Sequence, residues 1–246
     1  ISNKTVAIVP VHYAGISCEM DRIMEFAEDK SIFVIEDAAQ GFLSSYKGKA
    51  LGTIGHFGCL SFHETKNITS GEGGALLINN SDMSLRAEII REKGTNRSRF
   101  VRGEIDKYTW QEVGSSFLPG ELVAAFLWGQ LEEASRITKE RLSIWHRYHK
   151  LLEPLENKGM LRRPIIPDGC KNNAHMYYVI LAPEIDRQKI LDSFKLDKIG
   201  AVFHYVPLHS SPAGRHYGRV YGDLNVTNRQ SNGLVRLPLW IGLSNE

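Results

Sequence analysis

Two short apolar runs near the start of the chain, separated by an amphipathic segment, constrain the fold more than any other feature. The runs are "TVAIVPV" at 5–11 and "SIFVI" at 31–35, and both are rich in the β-branched residues typical of buried parallel strands. Between them, "EMDRIMEFAED" repeats apolar residues at the spacing of one helix face. This strand–helix–strand order predicts a parallel sheet with a right-handed crossover, and therefore an α/β fold.

The segments that follow extend this pattern. "GCLSF" at 58–62 and "GALLIN" at 74–79 predict two more strands, and Ser81 is placed to cap a helix behind them. Residues 94–112 carry mixed charge without periodicity, which predicts a long surface loop. A helical region is predicted from about 120 to 155.

A turn-rich stretch, "EPLENKGMLRRPIIPDG", indicates a domain boundary near its start. After it, "HMYYVIL", "DRQKILDSF" and "AVFHYV" predict the strand, helix and strand of a small α/β unit. We therefore predict that residues 1–155 form part of a large domain and residues 156–246 form an incomplete small C-terminal domain.

Composition and charge argue against several classes of partner. The chain has 30 Lys and Arg against 28 Asp and Glu, so its net charge of +2 gives no electrostatic reason to bind nucleic acid or a membrane surface. No apolar run is long enough to span a bilayer, and the first residues lack the pattern of a signal peptide. The 3 cysteines are scattered without a CxxC spacing, which predicts no metal site and a cytoplasmic location.

Two carboxylates, Glu36 and Asp37, follow the second predicted strand directly. Ligands of open α/β sheets bind beyond the carboxyl ends of the strands, and the next strand ends in "HETKNITSGEGG", which carries Lys66. An acid and a lysine at one sheet edge match the needs of pyridoxal 5′-phosphate (PLP). Its aldehyde bonds a lysine, and a carboxylate keeps its ring nitrogen protonated. The sequence therefore predicts that Asp37 meets the ring nitrogen of PLP.

Four stretches together, "VPVHYAG", "VIEDAAQ", "SFHETKNITSGEGG" and "AVFHYVPLH", resemble the DegT/DnrJ/EryC1/StrS family of sugar aminotransferases. The resemblance implies a type I PLP-dependent transferase fold, similar to that of aspartate aminotransferase, in a homodimer with shared active sites. "AEIIREKGTNRS", "DKYTW" and "IPDGCKNNAHMYY" extend it over the chain, toward the branch that serves enterobacterial common antigen synthesis. It implies transamination of a nucleotide-linked 4-keto-6-deoxy sugar, dTDP-4-dehydro-6-deoxy-D-glucose in that branch, with L-glutamate as amino donor.

The resemblance also implies roles for matching positions. Lys66 corresponds to the catalytic lysine, which bonds the cofactor and later carries a proton as a general base. Asp37 corresponds to the partner of the ring nitrogen, and Gln40 to the group that hydrogen-bonds the 3-oxygen of the ring. Ala39 corresponds to the small residue that lies flat against the ring, and Ser61 to a phosphate ligand.

Two departures from the family's pattern concern the cofactor phosphate. The family's Gly-Ser/Thr phosphate cup belongs to an upstream region that this sequence does not contain. Where the family often has Asn in a "GxNxR" stretch that reaches the neighbouring subunit's phosphate, this chain has "GSSFL", so Ser116 is either a weaker ligand or makes no contact. The chain lacks an initiating Met and stops at "LSNE", short of the expected last helix, so we expect it to be truncated at both ends.

Five further residues are candidates for the sugar-nucleotide pocket, each beside a plainer interpretation: His63, Arg97, His204, Tyr205 and His209. His63 could equally be a packing residue, and Arg97 could equally lie in a solvated loop. His204, Tyr205 and His209 could be ordinary residues at the end of a strand. We interpret His12 as structural and Gly15 as a turn residue.

Two other functions stay open. A sugar dehydratase that uses pyridoxamine phosphate would share the fold, but in those relatives His replaces the lysine, so Lys66 argues against it. A non-catalytic module that binds sugar nucleotides or regulates a partner is consistent with the absent phosphate cup.

Overall fold

The computed structural model describes residues 1–243 and falls into two compact units. The first unit comprises Ile1–Thr138 and Pro167–His175, and the second comprises Lys139–Ile166 and the residues from Met176 on. No helix among residues 1–243 is long and apolar enough to cross a membrane.

Ten strands and nine α-helices are found among the described residues. The strands are β1 (Ala7–Ile8), β2 (Phe33–Asp37), β3 (Ser45–Tyr46), β4 (Lys49–Ala50), β5 (Phe57–Ser61), β6 (Gly74–Ile78), β7 (Leu161–Arg162), β8 (Cys170–Lys171), β9 (Tyr177–Leu181) and β10 (Leu234–Leu237). The helices are α1 (Met20–Asp29), α2 (Ser84–Arg91), α3 (Arg97–Val101), α4 (Glu121–Glu132), α5 (Ala134–Leu151), α6 (Glu153–Asn157), α7 (Arg187–Leu196), α8 (Pro212–Tyr217) and α9 (Asn225–Gly233).

The main sheet of the first unit has the order β1-β2-β5-β6, with β1, β2 and β5 parallel and β6 antiparallel to β5. The predicted strand–helix–strand order is therefore confirmed, although β1 is shorter than its apolar run. Strand β2 continues two residues beyond its predicted end because Glu36 and Asp37 pair with Gly58 and Cys59 of β5. Helix α1 covers this sheet with Met20 and Ala27, which pack in one core with apolar residues of the sheet and the segment after it: Val34, Ala38, Tyr46 and Leu51.

Two local predictions in the first unit are wrong. The side chain of Asn80, and not Ser81, caps the next turn by accepting from the N–H of Asp82 at 3.1 Å. Residues 94–112 are not a plain loop, because they contain α3 and a bridge between Thr95 and Trp110. The helical region predicted from 120 to 155 is confirmed as α4, α5 and α6, with breaks at Glu133 and Leu152.

The second unit contains an antiparallel sheet of order β10-β9-β7, with α7 as predicted and capped by the Asp186 carboxylate. "AVFHYV" is not a strand, because only Val202 forms a bridge, with Arg236 of β10. The predicted boundary at 155–156 lies inside this unit. Helix α5 belongs with it from Lys139 on, and Tyr148 of this helix packs on Tyr177 of β9, with ring centroids 5.2 Å apart. The functional assignment of the two domains stays a prediction.

Candidate active site

Glu36 and Asp37 end β2 at the carboxyl edge of the main sheet, and the structure gives them different surroundings. Successive side chains of a strand point to opposite faces. Glu36 is fully buried, whereas Asp37 is half-buried. The two acids therefore have separate explanations.

Glu36 holds the turn that leads into β5. Its two carboxylate oxygens accept four hydrogen bonds, from the N–H groups of Gly52 (2.9 Å), Ile54 (2.6 Å) and Gly55 (2.6 Å) and from Nε2 of His12 (2.8 Å). Burial alone would raise the pKa of Glu36, but the bond from His12 and the three backbone donors outweigh it and hold that pKa below its ordinary value. Glu36 is thus a structural anchor, a role that sequence reasoning missed.

His12 is structural, as predicted. Its ring is fully buried, and Nδ1 accepts from the N–H of Cys18 at 3.2 Å. Nε2 therefore carries the proton that His12 donates to Glu36. Gly15, also as predicted, lies in a turn (Tyr13–Gly15) at φ +76°.

Asp37 and Lys66 follow the same end of two neighbouring parallel strands, β2 and β5. Asp37 lies opposite Cys59 in the register of β2 and β5, and its Oδ1 accepts from the N–H of Ala39 at 3.1 Å. Lys66 lies in the loop after β5 and is half-buried. Burial lowers the pKa of the Lys66 amine, and the negative charge of Asp37 offsets part of that effect. The acid and the amine thus share one electrostatic environment.

Gln40 follows Asp37 by three residues, and its side chain is held by the turn that contains Ala14. Oε1 of Gln40 accepts from the N–H of Ala14 at 2.6 Å. The carbonyl end of the side-chain amide is therefore used, and its NH₂ end is the donating end. A donor is what the 3-oxygen of a pyridine ring requires. Ala39, half-buried, presents only a methyl group next to Asp37.

Backbone hydrogen bonds join the two ends of the loop that carries Lys66 and also form within it. At its start, the N–H of Phe62 donates to the carbonyl of Gly73 at 2.9 Å, and the N–H of Ser70 returns to the carbonyl of Phe62 at 2.8 Å. The N–H of Lys66 donates to the carbonyl of His63 at 2.9 Å. The lysine therefore projects from an ordered loop.

Ser61 and His63 lie at the entry to this loop. Ser61 ends β5, pairs with Gly74, and accepts from the N–H of His63 at 3.4 Å through its hydroxyl. The Nδ1 atom of His63 lies 2.9 Å from the Thr65 hydroxyl and accepts from the Thr65 N–H at 3.2 Å. These bonds commit Nδ1 of His63 to shaping the loop, and Nε2 lies 3.7 Å from Oε1 of Glu72.

Ser116 and Arg97 are both tied to Glu92. Ser116 is exposed and forms a backbone bridge with Glu92. Arg97 Nη1 lies 2.5 Å from the Glu92 carboxylate, which also accepts from the Ser98 hydroxyl at 3.2 Å. The bond from Arg97 is the main reason that the pKa of Glu92 lies below its ordinary value. Arg97 therefore starts α3 as half of an ion pair.

His204, Tyr205 and His209 belong to the second unit. His204 is buried with Nε2 at 3.4 Å from Nη1 of Arg236, and burial followed by that positive charge lowers its pKa. Tyr205 is 77% exposed, and it lines with His204 a cavity of about 160 Å³. His209 is bonded to Asn228, with 2.9 Å between Nε2 and Oδ1.

Comparisons with known proteins identify the family and the fold. The model of the DegT/DnrJ/EryC1/StrS aminotransferase family matches residues 1–246. An uncharacterized protein of Methanocaldococcus jannaschii is 34% identical, over 98% of this chain and 63% of its own length. GDP-perosamine synthase of Escherichia coli O157:H7 is 31% identical, over 100% of this chain and 64% of its own length.

Among solved structures, the PLP-form of the Streptococcus pneumoniae protein Spr1654 matches with a TM-score of 0.87 at 23% identity, over 100% of this chain and 66% of its own. The fold is therefore the α/β fold of the aminotransferases. The chain belongs to the DegT/DnrJ/EryC1/StrS aminotransferase family. It spans somewhat less than two thirds of the length of the curated relatives described above.

Proposed function

We propose that this chain carries the cofactor-binding part of a PLP-dependent sugar-nucleotide aminotransferase. The observation that supports this most is the meeting of Asp37, at the end of β2, with Lys66, in the loop after the adjacent parallel strand β5. The donor set suits PLP, because it offers an amine, a carboxylate and an amide NH₂ at one sheet edge. When bound, PLP supplies a protonated ring that withdraws electrons from the α-carbon of an amino substrate.

Lys66 is the residue to which we assign the catalytic role. It would bond the cofactor and, once released, move a proton to and from the α-carbon of the amino donor. Both tasks need a neutral amine for part of the cycle. Burial lowers the pKa of Lys66, and a lower pKa makes the neutral amine easier to form. Asp37 limits this shift through its negative charge.

The other residues of the proposed site would hold the cofactor. Asp37 would keep the proton on the ring nitrogen, and Gln40 would donate to the 3-oxygen with its side-chain NH₂. Ala39 would let the ring approach the backbone, because a methyl group is the smallest side chain after hydrogen. Ser61 would donate its hydroxyl to the phosphate, and Ser116 is the candidate for a contact with the partner subunit's phosphate.

The substrate we propose is a nucleotide-linked 4-keto-6-deoxy sugar, with L-glutamate as amino donor. Within this class, the stretches "AEIIREKGTNRS" and "IPDGCKNNAHMYY" favour dTDP-4-dehydro-6-deoxy-D-glucose, the substrate of the transaminase in enterobacterial common antigen synthesis. The relative named GDP-perosamine synthase makes a GDP-linked sugar the natural competitor in a test. His63, Arg97, His204, Tyr205 and His209 stay candidates for sugar-nucleotide contacts, and only Nη1 of Arg97 is engaged with Glu92.

The proposed assembly is a homodimer in which active sites are shared. Helix α4 supports it, because Leu122 (88% exposed), Phe126 (55%) and Trp128 (67%) offer apolar surface that a partner would bury. In the intact protein, mixing Lys66→Ala subunits with subunits altered at Ser116 should restore part of the activity if Ser116 acts across the interface. No recovery in proven heterodimers would place Ser116 outside the shared site.

Turnover by the intact protein tests the proposed function. With PLP and L-glutamate, it should aminate dTDP-4-dehydro-6-deoxy-D-glucose faster than the GDP-linked analogue. Lys66→Ala should lower the rate by about 100-fold or more, whereas the matched control Lys49→Ala, an exposed lysine in β4, should leave it unchanged. A Lys66→Ala protein with near-parental turnover would rule out the catalytic role. Binding of the sugar nucleotide without any turnover by the wild type would favour a non-catalytic module.

A further inference from the structure

Asn173 is among the most deeply buried polar residues of the first unit, with 2% of its surface exposed. Its side-chain NH₂ donates to the carbonyls of Gln40 at 2.9 Å and Phe42 at 2.7 Å. Its side-chain oxygen accepts from the N–H of His175 at 2.9 Å. Both ends of the amide are therefore hydrogen-bonded, as burial of a polar group requires.

The backbone of Asn173 is also bonded to the loop that carries the lysine. Its carbonyl accepts from the side-chain NH₂ of Asn67 at 2.8 Å, and the side-chain oxygen of Asn67 lies 3.2 Å from Nδ1 of His175. Asn67 follows Lys66 directly, and 106 positions separate it from Asn173. This long-range clamp fixes the backbone from which the Lys66 side chain starts.

Gln40 is reached from the same amide by two routes. One is the direct bond from Asn173 to the Gln40 carbonyl. The other passes through Gly15, where an added Cβ would come within 2.3 Å of Oδ1 of Asn173. Gly15 shares its turn with Ala14, whose N–H holds the Gln40 side chain. Asn173 therefore packs against the groups that place Gln40.

We propose that Asn173 is a positioning residue of the cofactor site, which sets Lys66 and Gln40 at fixed places relative to each other. The proposal rests on the proposed function for the identity of the ligand, whereas the placement of Lys66 and Gln40 belongs to the protein alone. Loss of the amide would leave the carbonyls of Gln40 and Phe42 without this donor. It would also loosen the Asn173 backbone, to whose carbonyl the Asn67 side chain of the lysine loop is bonded. A displacement of about 1 Å in a site of this kind costs on the order of 100-fold in rate.

The chain offers a matched control and a milder variant. Asn172 is the same residue type one position earlier, is half-buried, and takes part in none of these contacts. Asn67→Ala removes only the link to the lysine loop, at a half-buried position, and leaves the bonds of Asn173 to Gln40 and Phe42 in place. We would compare Asn173→Ala, Asn67→Ala and Asn172→Ala in the intact protein, with thermal unfolding recorded for each.

The decisive readout uses the protein without cofactor. Amines are trace-labelled with acetic anhydride at a series of pH values, and the labelled peptides are quantified by mass spectrometry. This gives the pH midpoint at which the Lys66 amine, separately from the other lysines, loses its proton. We expect Asn173→Ala and Asn67→Ala to shift this midpoint upward, toward that of an ordinary lysine, because a loosened loop exposes the amine to water. Asn172→Ala should leave it unchanged. In the loaded enzyme, Asn173→Ala should lower kcat by about 100-fold while KM for the sugar stays within a few-fold.

An unchanged Lys66 midpoint and unchanged PLP affinity in folded Asn173→Ala and Asn67→Ala proteins would overturn the proposal, even if both proteins unfold at lower temperature. If Asn173→Ala does not fold, Asn67→Ala decides by the same readout. If the wild type neither binds PLP nor turns over, the proposed function fails separately, and the labelling midpoint still tests the role of Asn173.

Discussion

Nε2 of His12 donates to Oε2 of Glu36 at 2.8 Å, and both side chains are fully buried at the base of the candidate site. The same carboxylate binds the N–H groups of Gly52, Ile54 and Gly55. Glu36 thus connects β2, the segment after β1 and the turn before β5. Its neighbour Asp37 is held at the end of β2 by backbone bonds, because its N–H donates to the Pro10 carbonyl at 2.9 Å and its carbonyl accepts from the N–H of His12 at 3.0 Å.

Replacing Glu36 by Gln should destabilise the protein by about 2–4 kcal/mol at pH 7, because the neutral amide cannot accept all four bonds. The pKa of Glu36 is lowered in the folded state from its ordinary value of 4.5. The carboxylate therefore contributes stability that is fully present above the unfolded pKa and is lost as pH falls through the folded pKa. The difference in unfolding free energy between wild type and Glu36→Gln should shrink below about pH 4.5.

Urea denaturation of both proteins at pH 7 and at several acidic pH values measures this difference. If the difference in unfolding free energy between wild type and Glu36→Gln is the same at every pH, the charge of Glu36 contributes nothing to stability and only the shape of its side chain matters.

Gly15→Ala should destabilise the fold by about 1–3 kcal/mol. Gly15 has φ +76°, a region that favours glycine, and a Cβ would approach Oδ1 of Asn173 to 2.3 Å. Thermal or chemical unfolding of Gly15→Ala gives the comparison. The exposed Gly222, which has φ +71° and nothing within 4 Å of an added Cβ, is the control for the backbone strain alone. Equal losses at both positions would mean that the contact with Asn173 is unimportant.

Ser44→Ala should change the free energy of unfolding by less than about 1 kcal/mol, and a small gain in stability is the expected direction. Ser44 is 1% exposed, and its hydroxyl has no hydrogen-bond partner among residues 1–243. Removing an unbonded buried hydroxyl removes a desolvation cost without losing a bond. Equilibrium unfolding in urea measures the change, and a loss of several kcal/mol would show that Ser44 has a bound partner in solution.

Asp37→Asn should keep the cofactor yet slow the reaction with L-glutamate by roughly 100-fold to 1,000-fold. The amide preserves the shape of the side chain but cannot hold a proton on the ring nitrogen. Stopped-flow absorption of the half-reaction with L-glutamate checks the rate, and fluorescence titration checks PLP affinity. A half-reaction at the wild-type rate would make Asp37 a structural residue only.

The sequence was sufficient to predict the four strands of the first sheet, because each contains a short apolar run typical of strands. It predicted a parallel sheet, whereas β6 runs antiparallel to β5. It was also sufficient to place Asp37 and Lys66 at one edge, since parallel neighbours end on the same side. It could not predict that Glu36 is an anchor. Glu36 and Asp37 differ only in which face of β2 they occupy, and the partners of Glu36 come from other segments of the chain.

Long-range contacts explain most of the rest. α3 forms in a segment of mixed charge because Glu92 holds Arg97 and Ser98. The sequence did not predict a role for Asn173, because its partners Gln40 and Asn67 lie more than 100 positions away in the chain. "AVFHYV" has the composition of a strand, but only Val202 finds a backbone partner there.

The meeting of Lys66 with Asp37 as a PLP site is tested most directly by finding where the cofactor attaches. The intact protein is incubated with PLP, reduced with borohydride, digested and examined by peptide mass spectrometry. We predict one pyridoxyl group, on the peptide that carries Lys66, and its loss in Lys66→Ala but not in Lys49→Ala. A pyridoxyl group on another lysine, or none at PLP concentrations that saturate related aminotransferases, would contradict the assignment of Lys66.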